Sequence, residues 1–273
     1  MIFHAISDWD DAYANGPNIP AGDQWPARWV GPAEAFRAVH GGERDIAYGA
    51  GERHVLDLFR PQGEPKGLVV FVHGGFWVKL DKSYWSHLAG GARAQGWAVA
   101  VPSYPLCPDA GIGEIVRAIG AAIETAAGMV AGPIRLAGHS AGGHLATSMI
   151  CEDTPLSPAV VDRIVRVVSI SGLHDLRPLL NTKLNDDLRL TAETAAALSP
   201  ALKRPAGSAE LVTWVGAGER NEFIRQSRLM ANIWTGLGMR VAEIEEPDRH
   251  HFNILDSMAD PQGALTVAIT GAI

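Results

Sequence analysis

Cysteine is scarce in this chain: Cys107 and Cys151 are the only two in 273 residues. Two cysteines build no disulfide framework, and free Cys is most often a small buried apolar side chain, so a reducing compartment is expected. No run approaches the roughly 18 consecutive apolar residues of a membrane span. The N-terminus turns acidic at Asp8, Asp10 and Asp11, without the basic start and apolar stretch of a secretory signal. Basic residues are in the minority, 23 Lys and Arg against 30 Asp and Glu, for a formal net charge of -7. That balance argues against a nucleic-acid partner, whose phosphates need Lys and Arg to neutralise them, and against a polybasic membrane anchor. Among the 10 histidines there is no His-Glu-x-x-His, and no Cys-x-x-Cys occurs, so metal-ligand spacing is missing. The expectation is a cytoplasmic protein with no cofactor, no metal, no nucleic acid and no membrane; a homodimer stays open.

What is present is ordinary globular composition, 47% hydrophobic and 19% charged, enough to bury a core in one domain. Short apolar runs alternate with helical patterns. The runs Val55–Phe59, Leu68–Val72, Ala98–Pro102, Ile134–Ala137, Val165–Ile170, Leu211–Val215 and Val241–Ile244 predict strands buried on both faces. Helices are expected at Lys82–Gln95, Ile112–Val130, Ala141–Cys151, Glu222–Leu237 and Asp256–Ile269. This is an α/β pattern: a mostly parallel central sheet with helices on both faces. Residues 1–40, rich in Trp, Gly and Pro, read as an irregular N-terminal arm packing on a domain of residues 41–273. An insertion around residues 175–200 is expected to cover the site.

The central motif is Gly138-His139-Ser140-Ala141-Gly142, after one expected strand and before an expected helix. A nucleophile elbow needs that context: a sharp turn with the serine strained at its tip, flanked by glycines because a Cβ there would collide with its neighbours. Ser140 is the candidate nucleophile, placed where helix N–H groups favour developing negative charge. Upstream, His73-Gly74-Gly75-Phe76-Trp77 follows the strand Leu68–Val72. Backbone amides of Gly75, Phe76 and Ala141 are the candidate oxyanion donors, and His73 reads as a residue that holds this loop. The blander alternatives, a solvated serine in a glycine-rich turn and a lone tight His-Gly-Gly turn, lose ground when both motifs occur together.

Chain order should then run serine, acid, histidine. His144 lies within the helix after the elbow and His174 follows the wrong strand, which leaves His250 and His251, both open on position alone. The acid is expected after Leu211–Val215: Glu219 comes first in that loop, with Glu222, Asp175 and Asp248 as weaker alternatives. The acid fixes the tautomer of the base and steadies the imidazolium. Phe76, Trp77, Tyr84 and Trp85 sit on or just after the oxyanion loop and, with His139, are candidate substrate-binding residues; packing of the loop is the competing reading.

His73-Gly74-Gly75-Phe76-Trp77 resembles the His-Gly-Gly-x-Trp motif of the α/β-hydrolase kynurenine formamidases (arylformamidases) and related esterases. The likeness extends to Leu56–Pro61, Gly138–Gly142, Ser171–Leu176, Leu198-Ser199-Pro200, Glu222–Ser227 and His251-Phe252. The resemblance implies the α/β-hydrolase fold and a triad of Ser140, Glu219 and His251, the base being the histidine before phenylalanine. It implies hydrolysis of a small acyl group from an aryl amide or ester, a small-molecule substrate for which N-formylkynurenine is the sharpest candidate. Formamidases often carry Asp where this chain has Glu219, which bears on substrate and leaves the triad whole. A general carboxylesterase or thioesterase with the same triad is the alternative, and a non-catalytic binding protein on the same scaffold is a third reading.

Overall fold

The computed structural model describes residues 5–271; residues 1–4 of the expected arm and 272–273 of the expected domain lie outside them. The apolar runs assemble into an eight-stranded sheet. Its strands are β1 (Glu43–Ala47), β2 (Val55–Phe59), β3 (Leu68–Val72), β4 (Ala98–Pro102), β5 (Ile134–His139), β6 (Ile164–Ile170), β7 (Glu210–Gly216) and β8 (Val241–Glu246). Their spatial order is β1-β2-β4-β3-β5-β6-β7-β8. β3 to β8 pair in parallel, and β1 and β2 extend the sheet antiparallel at one side. Every expected strand is present. The unexpected one, β1, is a largely exposed edge whose Glu-Arg-Asp-Ile-Ala carries no apolar run.

Along β3, Leu68, Val70 and Val72 enter one core layer while Val69 and Phe71 enter the other, the two-residue alternation of a strand covered on both faces. The first layer packs Ile112, Ile115, Ile119 and Ile123 of the helix Ile112–Met129, Leu145 of Ala141–Ser148, and Phe223, Met230 and Trp234 of Asn221–Gly236. Each such buried side chain contributes about 1.5–3 kcal/mol. The second layer packs Trp29, Trp85, Leu88, Leu255, Leu265 and Ile269.

Two expected helices are broken. Lys82–Gln95 divides into 3-10 turns at Lys82–Tyr84 and Ser86–Ala89 and a short α-helix, Gly90–Ala94. Asp256–Ile269 divides at Pro261 and Gly263 into a 3-10 turn, Asn253–Met258, and the helix Ala264–Thr270. The arm, expected to be irregular, holds a 16-residue helix, Trp25–His40, with Pro26 in its first turn, where no N–H is needed, and Pro32 inside. The segment of residues 175–200 carries short helices, and its Leu179, Leu188 and Ala195 join the first core layer.

Candidate active site

β3 and β5 lie side by side with Val72 level with Gly138, so the loops leaving their C-terminal ends meet. Ser140 stands between β5 and the helix Ala141–Ser148 at φ 55°, a conformation that costs an L-residue energy and aims the side chain out of the turn. The turn closes only with glycine on either side. A Cβ on Gly142 would lie 2.0 Å from Val72 O, and one on Gly138 would lie 2.0 Å from Gly142 O.

The loop after β3 reverses sharply through Gly75 (φ 124°), Phe76 (φ 51°) and Trp77 (φ 60°), with the N–H groups of Val78 and Lys79 folding back on Gly75 O. Among the described residues, no protein acceptor takes the backbone N–H of Gly75, Phe76 or Ala141. Tyr104 Oη donates to His73 O at 2.9 Å, and the two rings stack 4.3 Å apart. His73, wholly buried, has its pKa pushed down to about 4 by burial and stays neutral, tying its Nδ1 to Gly74 O at 2.7 Å.

The loops after β7 and β8 bring Glu219 and His251 together. Glu219 Oε2 lies 2.6 Å from His251 Nδ1. Its other oxygen accepts from Ser171 Oγ at 2.6 Å and from Gly216 N at 2.9 Å. Ser171, at φ 52° just past β6, is a residue that sequence reasoning missed; its place directly after a strand end was the signal available. His250 is turned elsewhere: its Nδ1 accepts from Phe252 N and Asn253 N, and its ring meets Trp25 of the arm at 5.1 Å. The alternative acids are occupied or exposed. Glu222 is bound to Tyr13, Arg225 and Gln226, Asp175 is paired with Arg177, and Asp248 is exposed. His139 Nε2 donates to His251 O at 2.8 Å, and burial, with His251 beside it, holds its pKa well below the ordinary imidazole value, so it is neutral.

Ser140 and His251 line a cavity of about 660 Å³, together with Gly74, Gly75, Phe76, Lys79, Trp85 and His139. The expected pocket residues Phe76, Trp85 and His139 are therefore on its wall, and Trp77 and Tyr84 are not. The reversal at Phe76 and Trp77 sends the Trp77 ring into the core beside His144, at 5.2 Å, and Tyr84 packs at the edge of the second layer. The rest of the wall comes from the arm, Tyr13 to Trp29, and no residue of 175–200 contributes, although that insertion was expected to cover the site. Among the described residues, no cluster of three or more His, Cys, Asp or Glu has the arrangement to hold a metal, and no helix is long and apolar enough to cross a membrane.

A serine at positive φ and a carboxylate-paired histidine, at the ends of parallel strands and on one cavity wall, define the class. Residues 69–263 match the model of the Alpha/beta hydrolase family, which is most of the chain, and the protein belongs to that family. It is similar to the kynurenine formamidases of Danio rerio, 29% identical over 85% of this chain and 82% of the relative, and of Salmo salar, 29% identical over 81% and 79%. Among solved structures it is similar to a Silicibacter sp. tm1040 protein with the provisional name thioesterase, 44% identical at a TM-score of 0.93, covering 97% of this chain and 99% of that one. A Pyrobaculum calidifontis esterase shares the fold at a TM-score of 0.70 and 18% identity, over 90% of this chain and 89% of that one.

Proposed function

We propose that the protein is a serine hydrolase that removes a small acyl group from an aryl amide or ester, in the manner of an arylformamidase. The observation that carries this reading is that His251, paired with Glu219 at 2.6 Å, shares the wall of one aromatic-lined cavity with Ser140. Ser140 Oγ attacks the formyl carbon as its proton passes to His251 Nε2, Glu219 holding the Nδ1 tautomer. The oxyanion takes hydrogen bonds from the amides of Gly75, Phe76 and Ala141. The C–N bond then breaks, with His251 returning its proton to the aniline nitrogen. Water, deprotonated by His251, attacks the formyl-enzyme, and formate leaves as Ser140 is regenerated. Phe76 and Trp85 flank the aryl group, His139 braces the base through its carbonyl, and arm residues 13–29 wall the cavity. N-formylkynurenine, which would give kynurenine and formate, is the leading substrate; the formamidase relatives support it.

A carboxylesterase or thioesterase is the second reading, favoured by the name of the 44% identical Silicibacter protein. The two are separated by kcat/KM on N-formyl-L-kynurenine, p-nitrophenyl acetate and a short acyl thioester. A higher value on the formyl amide is expected, with Ser140→Ala about 10⁴-fold or more below wild type on every substrate. Ester or thioester turnover with negligible formamidase activity would replace the first reading by the second. A Ser140→Ala enzyme with near-normal rates would overturn both.

A further inference from the structure

Phe76, Trp77 and Leu80 stand at φ 51°, 60° and 71° in the loop that follows β3. L side chains adopt this left-handed region at a cost, so the loop keeps its shape only where contacts from outside enforce it. Those contacts come from the segment after β4. Tyr104, wholly buried, holds the loop's entry through the bond from its hydroxyl to His73 O and its stack on the His73 ring. Farther along, Cys107 N donates to Trp77 O at 2.8 Å. His73 passes the hold on: its Nδ1–H donates to Gly74 O, the opposite end of the trans peptide that carries the Gly75 N–H. Because that peptide is planar, fixing its carbonyl fixes the direction of the N–H.

The loop's exit is held by Arg53, a half-buried residue in the turn between β1 and β2. Its Nε donates to Tyr104 O at 2.7 Å and its Nη2 to Leu80 O at 2.5 Å. The turn is itself docked on the segment after β4: Tyr48 N donates to His54 O at 2.9 Å, and Tyr48 Oη donates to Ser103 O at 2.6 Å. One guanidinium thus joins Leu80, at the end of the loop after β3, to Tyr104, which grips the start of that loop. Arginine offers two such donors in one rigid plane, whereas a lysine ammonium on its flexible stem carries the charge without the fork. A guanidinium placed for solubility faces water; this one is directed at main-chain carbonyls on two separate loops.

We infer that Arg53 is a positioning residue for the oxyanion hole. By tying Leu80 to Tyr104 it fixes both ends of the loop whose Gly75 and Phe76 N–H groups receive the oxyanion. It touches no substrate and acts through the main chain it holds. The inference rests on the acyl-hydrolase reading, which supplies the oxyanion.

The test measures wild type, Arg53→Ala and Arg53→Lys on p-nitrophenyl acetate, together with the affinity of each for phenylboronic acid and for benzamide. Ser140 Oγ bonds to the boron and passes its proton to His251, leaving a tetrahedral boronate anion with one oxygen in the oxyanion hole. Benzamide is similar in size, stays planar and forms no such adduct. The hole meets negative charge only in the tetrahedral state, so its misalignment shows there and not in ground-state binding. Arg53→Ala should therefore lose about 10- to 100-fold in kcat and a like factor in boronate affinity, with KM and benzamide affinity within about threefold of wild type. Arg53→Lys should fall between. Guanidinium, at concentrations too low to unfold the protein, should restore part of the kcat of Arg53→Ala. All rates are read below the onset of melting, so a lowered Tm does not enter. Wild-type kcat and boronate affinity in Arg53→Ala overturn the inference, as does an equal loss of boronate and benzamide affinity, which marks a collapsed cavity. If Arg53→Ala does not fold, Arg53→Lys is read by the same split. A wild type that neither turns over p-nitrophenyl acetate nor binds phenylboronic acid removes the acyl-hydrolase reading and this inference with it; an active wild type beside an unchanged variant removes the inference alone.

Discussion

Every contact of Glu219 is with a donor: His251 Nδ1 on one oxygen, Ser171 Oγ and Gly216 N on the other. Glutamine at this position must turn its NH₂ toward a donor whichever way it rotates, so it loses either the base or the brace. Glu219→Gln should therefore lower kcat by about 10³- to 10⁴-fold without unfolding the protein. Ser171 acts through Glu219 as a positioning residue. Ser171→Ala leaves the Gly216 bond in place and should cost kcat about 10-fold with KM little changed, the scale of one hydrogen bond to a charged group. Wild-type kcat in Ser171→Ala would show that Gly216 alone suffices. Chain order pointed to Glu219 and to the pair His250 and His251, and the family resemblance alone singled out His251. Ser171 was invisible because its bond to Glu219 spans 48 positions and exists only when two strand-end loops converge. Trp77 misled for a related reason: adjacency to Phe76 says nothing about which side of a reversed backbone each ring leaves.

The elbow is an element defined by what it has no room for. A methyl on Gly142 meets the carbonyl of Val72, a backbone atom of β3 that cannot swing aside. Gly142→Ala should cost several kcal/mol, at or beyond the roughly 1–3 kcal/mol of a typical overpacked site, and lower Tm accordingly. Gly128, near the end of the helix Ile112–Met129, has nothing within 4 Å of its would-be Cβ. Gly128→Ala should be neutral or stabilising by up to about 1 kcal/mol through helix propensity. Thermal melts of the pair separate a packing requirement from simple glycine replacement; similar Tm changes in the two would remove the steric argument. Elements were legible where burial is two-sided, as in β3, whose apolar run matches the observed strand residue for residue. They were obscured where periodicity and backbone chemistry disagree. Gly90 and Gly91 lie inside the pattern that reads as one helix from Lys82, and Pro32 lies inside the helix Trp25–His40, which reads as irregular.

Across the whole molecule, histidine burial sets the response to acid. His73, His139, His144 and His174 are 0–3% exposed. Burial pushes the pKa of His73 and His144 down to about 4 and that of His174 to about 3, and holds His139 well below its ordinary value. In the unfolded chain these imidazoles titrate near 6.5. Between about pH 6.5 and 4 the unfolded state therefore binds protons that the folded state refuses, so stability is complete above 6.5 and is lost as pH falls through this window. Each group contributes up to about 1.4 kcal/mol per pH unit, and together they reach a substantial part of the 5–15 kcal/mol that holds a domain folded. Tm should be flat just above pH 7 and drop by roughly 10 °C or more between pH 6.5 and 5, at about 2–4 °C per kcal/mol for a chain of this size. Asp45, Asp81 and Asp175 also have lowered pKa values, but unfolded aspartate titrates near 3.9, so their contribution is lost lower on the pH scale. A melt series across pH 7 to 4 distinguishes the two groups by where the decline begins. A decline confined to pH below about 4.5 would mean that the buried imidazoles are paired well enough to charge in place. The ten histidines were plain in the composition, but which of them are sealed between sheet and helix is a property of the assembled layers, and it is that enclosure which couples acid to unfolding.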